Sequence, residues 1–184
     1  TDLWGGKSYT VTINSDLNIY ANRAFYKTVT STTKGYDVFG SSYTTITTTN
    51  NTYKEETIKL NNKSVTAYVI DYYTVKTVSG SQDIFGGSVY SYSNLKYDND
   101  KTSYNKTDYF GLTSVTENVA LLTNIADDFA KASFFKTKAE ALSFITSTGF
   151  EAGDSGQISV SSISFGTDLW GGKSYTVTIN SDLN

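Results

Sequence analysis

The chain has 184 residues with no Pro, Cys, Met or His, a formal net charge of -3, and 15% aromatic residues, Tyr foremost. Without imidazole or thiol it has no His general base, no Cys nucleophile, no disulfide and no zinc or soft-metal site of the usual kind. Its cations are 14 Lys and Arg23, outnumbered by carboxylates; the clustered basic stripe of a nucleic-acid binder is missing, and no apolar run approaches the ~20 residues that cross a bilayer.

The first segment governs the rest. Residues 1–18, TDLWGGKSYTVTINSDLN, return unchanged as residues 167–184, an offset of 166 (167 − 1). Eighteen consecutive identities mark either the start of the next unit of a near-identical tandem array or a strand copied onto the C-terminus. The chain thus divides into a linking segment (1–18), a β-rich domain (19–166) and a second linking segment (167–184). Within the segment, Tyr9, Val11 and Ile13 alternate with Ser8, Thr10 and Thr12, the pattern of a half-buried strand. Asp2 to Gly6 before it and Asn14 to Asp16 after it read as turns. Two explanations stand side by side: strand exchange between units, and plain overlap of unit boundaries.

Further strands are expected over 19–30, 43–49, 53–60, 65–78, 89–97 and 103–110, all rich in Thr, Tyr, Val and Ile. Gly and Asn/Asp clusters at Lys34-Gly35, Asn61-Asn62, Gly86-Gly87 and Asp98 to Asp100 separate them. A weaker repeat of Asp, apolar residue, aromatic and Gly occurs at Asp2 to Gly5, Asp37 to Gly40, Asp83 to Gly86, Asp108 to Gly111 and Asp168 to Gly171. An Asx-turn with the aromatic packed beneath it and Gly at positive φ accounts for this motif; calcium between units is the competing reading, weakened by irregular spacing.

The period then changes. Ser114 to Glu117 is a capping box followed by Val119, Leu122, Ile125, Ala126 and Phe129 at helical spacing, which predicts a helix over 116–133. Thr137 to Glu140 is a second capping box, predicting a helix over 138–147 with Gly149 as its stop. A loop at 151–156 leads into an alternating strand ending at Phe165, and Gly166 joins it to the second copy. The expected fold is mainly β: an antiparallel sandwich or barrel-like domain with a two-helix insertion (about 114–148) before the last strands.

Chemistry is sparse. Three Asn-x-Ser/Thr sequons, at Asn50, Asn62 and Asn105, are glycosylation candidates only in a secreted protein. Asp98 and Asp100 are weak calcium candidates, since the loop lacks the Gly and bidentate Glu of an EF-hand and Lys101 sits inside it. No pair of carboxylates is placed for glycoside hydrolysis, so no catalysis and no cofactor are expected.

These residues predict a structural, non-enzymatic unit of an extracellular or cell-surface fibre, its partners being copies of itself. Leu3, Trp4, Tyr9, Val11 and Ile13, with their twins Leu169, Trp170, Tyr175, Val177 and Ile179, form the linking surface. The mode of assembly is similar to that of strand-donating surface filaments and tandem-repeat adhesin stalks. The alternative is a secreted module that holds a host or environmental glycan, or calcium, in its Tyr- and Asp-rich loops.

Overall fold

The computed structural model describes residues 5–98, 110–111, 115–150 and 159–179. The strands are β1 (Lys7–Tyr20), β2 (Arg23–Tyr36), β3 (Ser42–Leu60), β4 (Lys63–Gln82), β5 (Ser88–Asp98), β6 (Phe110–Gly111), β7 (Ser159–Thr167) and β8 (Lys173–Ile179). Two helices, α1 (Val115–Lys131) and α2 (Lys138–Ser147), lie between β6 and β7 in the chain. The strands form one antiparallel sheet in the order β1-β2-β3-β4-β5-β7, with β8 on β7 and the two-residue β6 paired to Ser159 and Val160.

The antiparallel, β-dominated expectation holds, but among the described residues the sheet is open and forms neither a closed barrel nor a sandwich. The reason lies in the two faces. Directly opposed residues share a face, so rows can be followed strand by strand. One row runs Tyr9, Lys34, Thr44, Gly80, Tyr90, Phe165, Tyr175, and the next Val11, Thr32, Ile46, Val78, Tyr92, Ile163, Val177. Both are apolar from β4 to β8, mostly polar through β2 and β3, and apolar again at β1. A second sheet would need a continuous apolar face to cover; here only half of one face offers that, and the helices cover it. Val78, Tyr92, Ile163 and Phe165 pack there with Leu122, Ile125, Phe129, Ala141 and Ile145. Tyr90 is ringed by Phe129, Phe134, Phe135 and Phe144 at centroid distances of 4.8 to 5.9 Å.

Gly80 is required by this packing, because a Cβ there would lie 2.9 Å from the Phe134 ring. The Lys76 ammonium also ties α1 to the sheet through Asp128, at 2.8 Å.

The opposite face carries hydroxyls. Thr10, Thr33, Thr45, Ser79, Ser91, Ser164 and Thr176 form one unbroken row across seven strands. Side-chain hydrogen bonds join Thr10 to Thr33 (2.8 Å), Ser91 to Ser164 (2.9 Å) and, one row along, Thr12 to Ser31 (3.0 Å). Towards the far end of β1 to β4, Tyr20, Phe25, Tyr53 and Tyr68 make a stacked and edge-on cluster, with Asn18 donating to the Tyr68 hydroxyl at 2.9 Å.

Several boundaries differ from expectation. The strand predicted over 19–30 is two strands joined by a turn at Ala21 and Asn22, both at positive φ (48° and 61°). Such a turn is usually announced by Asn-Gly or Asp-Gly, and Ala-Asn carries no such signal. Asn14 to Asp16 continue β1 instead of turning; Asp16 takes φ 56° and accepts a hydrogen bond from the Thr28 hydroxyl. The strands expected over 43–49 and 53–60 are one, with a bulge at Thr52/Tyr53. The turn at Asn61-Asn62 is as expected, with φ of 50° and 62°. So is the cap of α2: the Thr137 hydroxyl accepts from the Glu140 N–H and the Glu140 carboxylate from the Lys136 N–H, while Gly149 ends the helix at φ 82°. Residues 151–156 and most of 103–110 lie outside the described residues.

Candidate interface at the repeated strand

The two copies of KSYTVTI occupy the two ends of the row of strands: β1 pairs with β2, and β8 pairs with β7. Following any complete row from β1 to β8 leads from a residue to its own duplicate: Lys7 to Lys173, Tyr9 to Tyr175, Val11 to Val177. The sheet therefore crosses six strand spacings with no net slip, and the copies run in the same direction with the same face toward the helices. In a strand, successive N–H and C=O groups point to alternate edges. Since β2 and β7 lie on opposite sides of the same segment, the first copy uses one edge for pairing and the second copy uses the other.

The copies differ in what covers them. In β1, Tyr9, Val11 and Ile13 are 60%, 50% and 61% exposed. In β8, Tyr175 is 41% exposed and meets the Phe150 ring edge-on at 5.1 Å, and Val177 packs on the core beneath the helices. Tyr9 and Val11 are thus more exposed than their duplicates: Tyr175 is still exposed but has Phe150 against it, and Val177 is partly buried. Leu169 and Trp170 sit in the β7–β8 turn, exposed by 51% and 83%. Leu3 and Trp4 lie outside the described residues, and Ile179 is placed only as the backbone end of β8.

That turn is one of three alike among the described residues; Asp2 and Asp108, which begin the motif's other two occurrences, lie outside them. In each, one Asp oxygen accepts two backbone N–H bonds: Asp37 from Phe39 (2.8 Å) and Ser41 (2.9 Å), Asp83 from Phe85 (2.8 Å) and Gly87 (2.9 Å), Asp168 from Trp170 (2.9 Å) and Gly172 (2.7 Å). The Gly of each takes φ between 82° and 97°. The Asx-turn reading is the geometry found, with one correction: Phe39 and Phe85 are 74% and 72% exposed and Trp170 more so, so no aromatic packs beneath its turn. The hairpin that enters the second copy is built like the hairpins inside the unit.

The other candidates remain apart. Asn50 is an exposed residue in β3 whose amide oxygen lies 3.1 Å from the Thr28 hydroxyl, competing with Asp16 for its proton, and Asn62 is in the β3–β4 turn. Asn105 and Asp100 lie outside the described residues, and Asp98 is placed only by its backbone pairing with Tyr72. Among the described residues no group of three acidic side chains converges on a point, and no helix is long and apolar enough to cross a membrane. Burial, reinforced by the Asp128 charge, pushes the Tyr92 phenol up to about 12; this is core packing, not an activated group. Comparison with protein families, curated proteins and solved structures finds no match to this chain.

Sequence reasoning missed the roof, Phe150 above all, because its contact with Tyr175 depends on where the helices land. It also missed the hydroxyl face, although a signal exists: Thr10-Val-Thr12, Ser31-Thr-Thr33, Thr45-Ile-Thr47, Thr77-Val-Ser79, Ser91-Tyr-Ser93 and Ser162-Ile-Ser164 are the aligned tripeptides.

Proposed function

We propose that this chain is a structural, non-enzymatic unit of an extracellular, cell-surface fibre, and that its partners are further copies of the same unit joined through TDLWGGKSYTVTINSDLN. The observation that carries the reading is the placement of one sequence at both ends of one sheet, level with itself and using opposite edges. A strand with an unpaired edge is a template for another strand, and an exposed Tyr9, Val11 and Ile13 face adds apolar area to that edge. The open, hydroxyl-covered sheet suits repeated building material. Glycan or calcium binding is the second reading; the exposed aromatics Phe39, Phe85 and Trp170 favour a glycan over calcium, since each turn Asp already spends an oxygen on two backbone amides.

The test is electron microscopy of chains carrying one, two and four units at the 166-residue offset. Straight rods that lengthen by a constant increment support the fibre; coiled or irregular chains together with specific retention on a glycan array would replace it with the binding module.

A further inference from the structure

We infer that adjoining units share one strand: the second copy of the segment is at once β8 of one unit and β1 of the next, so that the sheet runs through the junction without a linker and the helix pair of each unit roofs the first strand of its successor. This rests on the fibre reading and specifies its joint.

Three observations carry it. First, β7 takes one edge of KSYTVTI and β2 takes the other, so one strand can hold both neighbours at once. Second, the row that begins at Tyr9 ends at Tyr175, so adding a unit translates the sheet by six strands in register, with no slip to absorb. At ~4.8 Å per strand the repeat is about 29 Å. Third, the apolar face of β1 is largely exposed inside its own unit, where β2 beside it presents Lys34 and Thr32; in β8 the same face is partly covered, Tyr175 by Phe150 and Val177 by the core. One sequence has to serve under a roof that the preceding unit supplies. The β7–β8 hairpin, closed by Asp168 as others are closed by Asp37 and Asp83, makes the unit boundary locally the same as an internal turn.

Hydrogen exchange reads the joint directly. In the full chain, with β7 on one edge of β8, alternate amides between Lys173 and Val177 should exchange fast. The probe is the full chain followed by a further copy of residues 19–184. A shared strand protects every amide in that stretch, slowing the fast set by about tenfold or more, and small-angle scattering lengthens the particle by about 29 Å. As a second variant that needs no additional folded unit, the full chain is extended by residues 19–36 alone, which recreates the β1–β2 hairpin on β8 and should give the same uniform protection. Persistent alternation in both variants overturns strand sharing. If alternation persists while multi-unit chains still form rods, the fibre stands and only the joint is wrong; if protection is uniform but no rods form, the joint stands and the fibre falls.

Discussion

The twin valines give the most direct check on the unequal roofing of the two copies. Val11→Ala and Val177→Ala remove the same atoms from the same local sequence, TVT, so strand propensity and unfolded-state effects are matched. Losing two methyl groups from full burial is worth roughly 1.6 kcal/mol. Val177 is partly buried against the core, which brings the expected loss to about 1–1.5 kcal/mol once the residual gap is counted. Val11 is 50% exposed and not among the residues packed on the core, and its loss should stay near 0.5 kcal/mol or below. At this chain length 1 kcal/mol moves Tm by roughly 2–4 °C, so Val177→Ala should melt about 3–5 °C low and Val11→Ala within about 2 °C of the parent. Paired urea titrations and thermal melts on the full chain measure both. Equal losses would refute the idea that the copies differ by what covers them.

Other consequences are as specific. Phe129→Ala empties a fully buried position at the centre of the helix–sheet core and should remove about 3–5 kcal/mol, read as loss of near-ultraviolet dichroism at low urea. Asp83→Ala orphans two turn amides and should destabilise by about 0.5–1.5 kcal/mol, while Asp83→Asn keeps an acceptor oxygen and should recover most of it; a calcium-dependent melting shift in the parent that Asp83→Ala abolishes would overturn the Asx-turn account. Tyr92 keeps its proton to about 12 in the fold against 10.0 when unfolded. Its contribution is therefore intact below pH 10 and lost as pH rises toward 12; Tyr92→Phe should flatten that alkaline decline, followed by melts across the range.

How much of this was legible beforehand depends on range. The α2 cap was readable because Thr137, Glu140 and Gly149 act on neighbours within a turn or two. The Asn61-Asn62 turn was readable for the same reason, whereas Ala21-Asn22 was not, since tertiary pairing of β1 with β2 holds an unadvertised residue at positive φ. The exact duplication and the alternation of Tyr9, Val11 and Ile13 marked β1 and its duplicate β8 as strands by number.

By itself, the sequence determined that a strand is repeated at a 166-residue offset, that the chain is mostly β, and where its helices fall, because periodicity and identity are local properties of the string. Only the tertiary structure decided that the sheet stays open, that its rows return each residue to its own duplicate, and that one copy is partly covered while the other is more exposed. Those outcomes depend on five turn lengths, two register shifts and the long-range pairing of β5 with β7, which together set register across the sheet, and on which half of one face is apolar enough to hold a helix pair.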